Sequence, residues 1–432
     1  MALDATKSVP AELWARIFGV LQPRFRSDRQ QPAQHQFDLK TNQSSFWQLP
    51  SVCKAFQATF NLHPELCSQF CITDCMLDKA ELSLLAWLRT RSTVLTSLQA
   101  VGTHTQIPQC LLALSDHGCP LEFASVTVAS QAVINSMGTF GALTTCALRG
   151  TSDDLGGTNL DLLPLQWLAP LKSLQLEKGR FINVNAVSHL TRLEVSEARV
   201  IGSSDCNFCS SLVKLQLKES GNISMHAMGL CACTVLQCLE MGLNCIIHAR
   251  AASIGTLAGG AVGRMFPASM SCLTALTNLS LAFCDECGGR VDFAGISSLS
   301  NLQALGLESL GNFMLHPEIG ALTKLTTLYL CAAGFDTDDK AFVDISLNWK
   351  SLLALQRLSV LSYLTCDESV FGLAELEHLD TVDFVEAAPL DSVSRNCLAT
   401  LKQRLNCRLY THPANSYSVD IGIPTVSLLP WT

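Results

Sequence analysis

The 432-residue sequence has little charge, few aromatic residues and no long uninterrupted apolar segment. Charged residues make up only 15% of the chain and apolar residues 48%, so the composition is not that of a disordered protein. Lys and Arg form no block and the formal net charge is −8, so we expect no nucleic-acid partner. No stretch of about 18 residues is free of charges and helix breakers, so we expect no membrane span.

Signatures of catalysis are also missing from the sequence. It contains none of the patterns G-x-x-x-x-G-K-[ST], G-x-G-x-x-G, H-E-x-x-H or G-x-S-x-G. Two C-x-x-C pairs, Cys206/Cys209 and Cys284/Cys287, are separated by about 75 residues, whereas the pairs of a four-cysteine zinc site are usually about 15–20 residues apart. We therefore expect no enzymatic activity, no metal site and no cofactor.

The cysteines are too sparse for a disulfide scaffold, since there are 20 of them in 432 residues. The N-terminal segment MALDATKSVP lacks a charged stretch followed by an apolar one, so no secretory signal is expected. We therefore predict reduced thiols and an intracellular location, in the cytoplasm, the nucleus or both. Cys67, Cys71 and Cys75 are four residues apart, a spacing that predicts one shared helix face.

From about residue 95 onward, the sequence repeats the phrase L-x-x-L-x-L. Each phrase predicts a short strand whose leucines face a core that neighbouring units share, because no unit can bury its leucines alone. Weaker copies near residues 95, 121 and 143 bring the total to about twelve, and most spacings approach the roughly 20–29 residues of a leucine-rich repeat. The nine clear copies begin at Leu171, Leu190, Leu212, Leu236, Leu276, Leu302, Leu325, Leu355 and Leu379.

These repeats predict an α/β fold, a leucine-rich-repeat solenoid with a curved parallel sheet over residues 69–410. The widest spacing contains residues 246–266, which are either a loop insertion or a degraded repeat. The later units resemble plant-type leucine-rich repeats, as in 317–330, but the family's Asn or Cys at the ninth position is mostly missing. We therefore expect an irregular or helical convex side. The phrase CRLYTH predicts a last edge strand, and residues 411–432 a cap or tail.

Two amphipathic helical patterns precede the repeats and are separated by a polar segment at 24–45. The first reads V-P-A-E-L followed by Ile-Phe one turn later, and the second reads V-C-K-A-F, followed by P-E-L. In this order they resemble the F-box family over 8–68, although the segment between them is about twenty residues longer than the family's usual turn. The alternative is a helical cap that seals the first repeat.

The F-box resemblance implies a small all-α N-terminal domain that docks on a Skp-type adaptor and its cullin complex. The chain would then be the substrate-recognition subunit of a Skp/cullin/F-box ubiquitin ligase, with no catalytic residue, and it would direct an unidentified protein to proteasomal degradation. The alternative is a non-catalytic repeat scaffold in the cytoskeleton or axoneme. The matching positions, which the resemblance makes adaptor-binding, are Val9, Pro10, Leu13, Ile17, Phe18, Leu21, Val52, Cys53 and Phe56.

The outward residues of the strand phrases predict where a target protein binds, since solenoids bind ligands on the concave strand face. The early units carry a mixed charged patch, and the later ones carry smaller and more apolar residues with one tyrosine, which suits an anchor. The candidate target-binding residues are Arg192, Glu194, Lys214, Gln216, Lys218, Glu240, Asn278, Glu308, Tyr329 and Arg357.

Overall fold

The computed structural model divides into two compact units. The first contains residues 1–151 and 167–171, and the second contains residues 152–166 and 172–432. The structure describes residues 69–73, 85–86, 88–90, 92–103, 105–151, 159–201, 208–218, 232–242, 271–284, 295–310, 313–333, 342–361, 363–365, 367–386, 392–404 and 408–413. The predicted F-box segment at 8–68, with all nine of its adaptor-binding positions, lies outside these residues.

The first unit contains a parallel four-stranded sheet in sequence order. Three of its strands correspond to the weaker repeat copies, and each of these begins at the third position of its phrase. The strand before them was not predicted. The described strands and helices of this unit are β1 (Gln69–Thr73), β2 (Ser97–Val101), α1 (Ile107–Asp116), β3 (Phe123–Val128), α2 (Gln131–Met137) and β4 (Thr145–Gly150).

The helix predicted from the cysteine spacing is wrong at Cys71, which lies in β1. Phe70 and Ile72 flank it and are both buried. This alternation has the period of two residues that places successive side chains on opposite faces of a sheet. Cys67 and Cys75 lie outside the described residues.

The second unit is built on a longer parallel sheet, with a short second sheet beside it. The main sheet has the order β6-β7-β8-β9-β10-β11-β13-β15-β17-β18, with β5 paired to β6. The described strands are β5 (Leu160–Asp161), β6 (Ser173–Ile182), β7 (Arg192–Ile201), β8 (Lys214–Lys218), β9 (Cys238–Met241), β10 (Asn278–Cys284), β11 (Ala304–Leu310), β12 (Phe313–Met314), β13 (Thr327–Ala333), β14 (Phe342–Asp344), β15 (Arg357–Leu361), β16 (Tyr363–Thr365), β17 (Thr381–Glu386) and β18 (Arg408–Pro413).

All nine clear phrases form strands of this main sheet, and each strand begins at the third position of its phrase. The fourth-position residues are in register from Leu174 on β6 to Val382 on β17, and each of them is at most 1% exposed. The first-position leucines are buried as well. Because each leucine packs between equivalent residues of the adjacent repeats, the units share one core, as the sequence predicts.

Backbone hydrogen bonds repeat with the same period at the start of each strand. The second-position carbonyl of one repeat accepts hydrogen bonds from the second and third amides of the next, as when Lys172 O accepts from Thr191 N at 2.9 Å and from Arg192 N at 3.0 Å. Threonines at the second position add a side-chain bond, as from Thr326 Oγ1 to Gln303 O at 3.0 Å. These bonds satisfy polar groups that would be costly to bury unpaired, and they fix the register.

The two repeat units on either side of the widest spacing between phrases are neighbours in the main sheet. Cys238 pairs directly with Asn278 and Met241 with Leu281, so β9 and β10 are adjacent strands. A strand from the intervening chain therefore has no place between them. Residues 243–270 lie outside the described residues.

The connections between strands differ in part from the prediction. In the described residues of the second unit they are largely irregular, with short 3-10 segments such as Ile296–Ser298 and Trp349–Ser351. However, β12, β14 and β16 form a second parallel sheet, which we did not predict. Helix α3 (Ser392–Arg404) precedes β18, which pairs with β17 and is the predicted last strand. Among the described helices, none is long and apolar enough to cross a membrane.

Candidate binding face

The third, fifth and seventh positions of each phrase lie on the sheet face opposite the leucine core. We call this the outer sheet face of the second unit. It is the face that the sequence analysis predicts as target-binding. Parallel register aligns its residues in columns across the strands. The fifth-position column consists of Gln175, Glu194, Gln216, Glu240, Ser280, Gly306, Tyr329, Ser359 and Asp383.

A network of five side chains crosses β7, β8 and β9 on this face. The Arg192 Nη2 donates to Glu194 Oε2 and to Gln216 Oε1, at 3.4 Å in each case. Lys218 Nζ lies 3.5 Å from Glu194 Oε1, and Gln216 Nε2 donates to Glu240 Oε2. The Glu194 carboxylate therefore lies between the two cations Arg192 and Lys218. Each ion pair restricts the movement of the side chains that form it.

Two members of this network are almost completely buried, although the sequence predicts outward-facing side chains. Gln216 is 5% exposed and Glu240 is 6% exposed. The positions do face away from the core, but packing among neighbouring repeats covers these side chains. Arg192 and Lys218 stay partly exposed, at 28% and 24% of their side chains. A partner approaching this part of the face therefore meets the two cations first.

A second feature lies on β11, two strands beyond β9, around Glu308 at the seventh position of its phrase. Glu308 is 6% exposed and stands in register between Ala282 on β10 and Cys331 on β13. None of the residues that the structure describes donates a hydrogen bond to its carboxylate or forms an ion pair with it. Burial raises the pKa of Glu308 to about 7. This carboxyl group is therefore held in an environment that disfavours its charge.

Small and apolar side chains surround Glu308. Gly306 precedes it by two residues on the same face, and an added Cβ at Gly306 would lie 3.2 Å from Ser280 Oγ. Tyr329 is in register with Gly306, so it is a diagonal neighbour of Glu308. Burial raises the pKa of the Cys331 thiol to about 12, and the neighbouring Tyr329 side chain opposes this rise. We refer to this site, formed by Ser280, Ala282, Gly306, Glu308, Tyr329 and Cys331, as the Glu308 recess.

The remaining predicted target-binding residues occupy third positions. Lys214 lies in register between Arg192 and Cys238, and Asn278 between Cys238 and Ala304. Arg357 is exposed on β15, opposite Thr327. The predicted residues therefore share one face but fall into two groups. Ser280, Gly306 and Cys331 were not predicted as neighbours of Glu308, although their register follows from the alignment of the phrases.

The solved structures that resemble this chain include two of low sequence identity. No protein-family model matches the chain, and no curated protein matches it. Internalin C2 from Listeria monocytogenes str. 4b F2365 is 17% identical over 48% of this chain and 78% of its own, with a TM-score of 0.29. TLR13, solved in a complex with ssRNA13, is 14% identical over 81% of this chain, with a TM-score of 0.48. This chain covers 55% of the TLR13 chain.

Both of these TM-scores are below 0.5, so the fold assignment rests on the strand register and the leucine columns of this chain. Those features are the ones that define the class. The described part of the chain has a leucine-rich-repeat fold. The side chains at the third, fifth and seventh positions of its phrases form columns on the outer sheet face.

Proposed function

We propose that the chain binds a target protein on the outer sheet face and acts as the substrate-recognition subunit of a Skp/cullin/F-box ubiquitin ligase. The binding role is supported mainly by the five-residue network on β7–β9, because it presents fixed charged groups that need no rearrangement to meet a partner. The ligase role is supported by the F-box resemblance of residues 8–68. Both proposals assign the chain an intracellular location.

In this proposal the chain contributes proximity and not chemistry. The F-box helices dock on the Skp-type adaptor, and the outer sheet face holds the target. The target's lysines then stay close to the ubiquitin-conjugating enzyme of the complex, which raises their effective concentration. Because a surface that only positions its ligand needs no reactive group, the protonated thiol of Cys331 is compatible with this role.

The adaptor half is tested by binding of the purified full-length chain to a purified Skp-type adaptor. The substitutions Leu13→Asp and Ile17→Asp together place two charges among the apolar positions of the first predicted F-box helix. We expect them to reduce adaptor binding more than tenfold. Leu353→Asp is the control, since Leu353 is 65% exposed on a turn between repeats. Failure of the unmodified chain to bind any Skp-type adaptor would remove the ligase role and leave the scaffold alternative.

The target half is tested separately. Proximity labelling in cells identifies candidate targets, which are then purified and bound to the chain in vitro. The double substitution Arg192→Glu and Lys218→Glu reverses the two cations that flank Glu194, and we expect weaker target binding with unchanged adaptor binding. Thermal unfolding of the variant shows whether its fold is retained. If the folded variant binds the target as tightly as the unmodified chain, the β7–β9 part of the outer sheet face does not contribute to target binding.

A further inference from the structure

The Glu308 recess contains a buried carboxyl group for which the described residues provide no counter-ion. Glu308 is 6% exposed, and no residue that the structure describes donates a hydrogen bond to its carboxylate or forms an ion pair with it. The charged form of such a group is costly to bury, and a neutral residue at the same position would avoid that cost. By contrast, Glu194 on the same face has two cationic neighbours.

The neighbouring strands also provide no charge that could serve Glu308. The outer-face positions of β10 are Asn278, Ser280 and Ala282, and those of β13 are Thr327, Tyr329 and Cys331. The titratable groups that face Glu308 from β13 are the Tyr329 phenol and the Cys331 thiol. The pKa of Cys331 is raised to about 12, so this thiol is neutral at physiological pH. Glu308 is thus the single charged residue among the nine outer-face positions of β10, β11 and β13.

We propose that the Glu308 recess receives a lysine or arginine side chain of the target protein, which pairs with the Glu308 carboxylate. The inference rests on the proposed use of the outer sheet face and specifies the chemistry of its partner. Gly306 lies in register between Ser280 and Tyr329 and presents only backbone on the outer sheet face. The Tyr329 side chain lies diagonally across from the carboxylate, so a cation in the recess can contact both an aromatic ring and a carboxylate.

Binding of a cation in the recess couples to the protonation of Glu308. With a pKa of about 7, most of the carboxyl groups are neutral at pH 6 and most are ionised at pH 8. A cation that requires the ionised form therefore binds roughly tenfold more tightly at pH 8 than at pH 6. The side chains of lysine and arginine remain charged throughout this range.

The test uses the purified full-length chain and three capped tripeptides, so it does not depend on knowing the target. Ac-Gly-Arg-Gly-amide and Ac-Gly-Lys-Gly-amide carry the cation, and the citrulline analogue of the first has almost the same shape without charge. Binding is followed by NMR of the ¹³C-labelled glutamate carboxyl groups, with the Glu308 signal assigned from the Glu308→Gln spectrum. We expect the cationic peptides to shift this signal and to lower its titration midpoint, and the citrulline peptide to do neither.

Two variants complete the test. Glu308→Gln keeps the shape of the side chain and is expected to weaken binding of the arginine peptide about tenfold. Glu377→Gln makes the same change at an exposed turn position and is expected to leave binding unchanged. Equal binding of the arginine peptide by Glu308→Gln and the unmodified chain, or equal binding of the citrulline peptide, would overturn the inference. Adaptor and target binding are measured separately, so their failure is distinguishable from failure of the recess.

Discussion

Gln216 donates a hydrogen bond from its Nε2 to the Glu240 carboxylate on the adjacent strand, and both side chains are nearly buried. Their fifth-position register places the amide and the carboxylate side by side. The amide oxygen of Gln216 also accepts from Arg192, so this one side chain links a cation to an anion across three strands. The pair shows how the repeat geometry converts two separate sequence positions into one interaction.

Loss of the Gln216 amide should destabilise the protein through Glu240. In Gln216→Leu the buried carboxylate loses its donor, and we expect the free energy of unfolding to fall by about 1–3 kcal/mol. The double variant with Glu240→Leu removes both partners and should recover most of this loss. Urea unfolding at pH 7 measures all three proteins. Gln237→Leu, at an exposed neighbouring position, is the control, and an equal loss there would contradict the pairwise explanation.

The protonation of Glu308 should make stability decrease as the pH rises. Its pKa is about 7 in the folded protein against an ordinary value of 4.5, so the folded state binds the proton more tightly than the unfolded state. Stability therefore falls between these two values and stays lower above them. Glu308→Gln should be more stable than the unmodified chain by about 2–3 kcal/mol at pH 8.5 and equal to it near pH 4. Urea midpoints across this range measure the difference, and a constant difference would refute it.

Glu318 should have the opposite effect on the pH dependence. Its carboxylate accepts hydrogen bonds from Gly295 N at 2.8 Å and Ser297 Oγ at 3.0 Å, and the backbone bond lowers its pKa below the ordinary 4.5. Its contribution to stability is therefore present above pH 4.5 and is lost as the pH falls through the lowered value. We expect Glu318→Gln to lower the unfolding temperature at pH 7, with a difference that shrinks in acid. Calorimetry at several pH values checks this expectation.

The Cys331 thiol should resist alkylation while the protein is folded. Burial and the nearby Glu308 carboxylate raise its pKa to about 12, and only the thiolate reacts with iodoacetamide. At pH 8 we expect mass spectrometry to find Cys331 unmodified in the native protein and fully modified in urea. If Cys331 is labelled as fast in the native protein as in the unfolded chain, the thiol is not buried with a raised pKa.

The sequence predicts the strands of the main sheet well because their signal is local. The alternation of leucines within L-x-x-L-x-L specifies both the strand and the face that it buries, and every clear phrase forms a strand. Strands β12, β14 and β16 were not predicted, since segments of two or three residues contain no periodicity. At Cys71 the four-residue spacing of cysteines was misleading, because Phe70 and Ile72 determine the structure there.

The sequence predicts which face of the sheet carries the candidate binding residues, but it does not predict their burial or their charged neighbours. Alignment of the phrases correctly places Gln216, Glu240 and Glu308 on the outer face. Their burial, however, depends on the size of side chains one strand away, such as Arg192 beside Gln216 and Cys331 beside Glu308. Whether a carboxyl group gains or lacks a cationic neighbour depends on the same contacts, so Glu194 and Glu308 look alike in the sequence and differ in the structure.

The regular spacing of the parallel strands also fixes the distance between the two groups of residues on the outer sheet face. Neighbouring strands in a sheet are about 4.8 Å apart, so the four strand intervals between β7 and β11 separate the Glu194 ion pairs from Glu308 by about 19 Å. An extended peptide advances about 3.3 Å per residue, so a segment of roughly six residues crosses this distance. A ligand that engages both places must therefore carry an acidic group for Arg192 and Lys218 at one end and a basic group for Glu308 at the other.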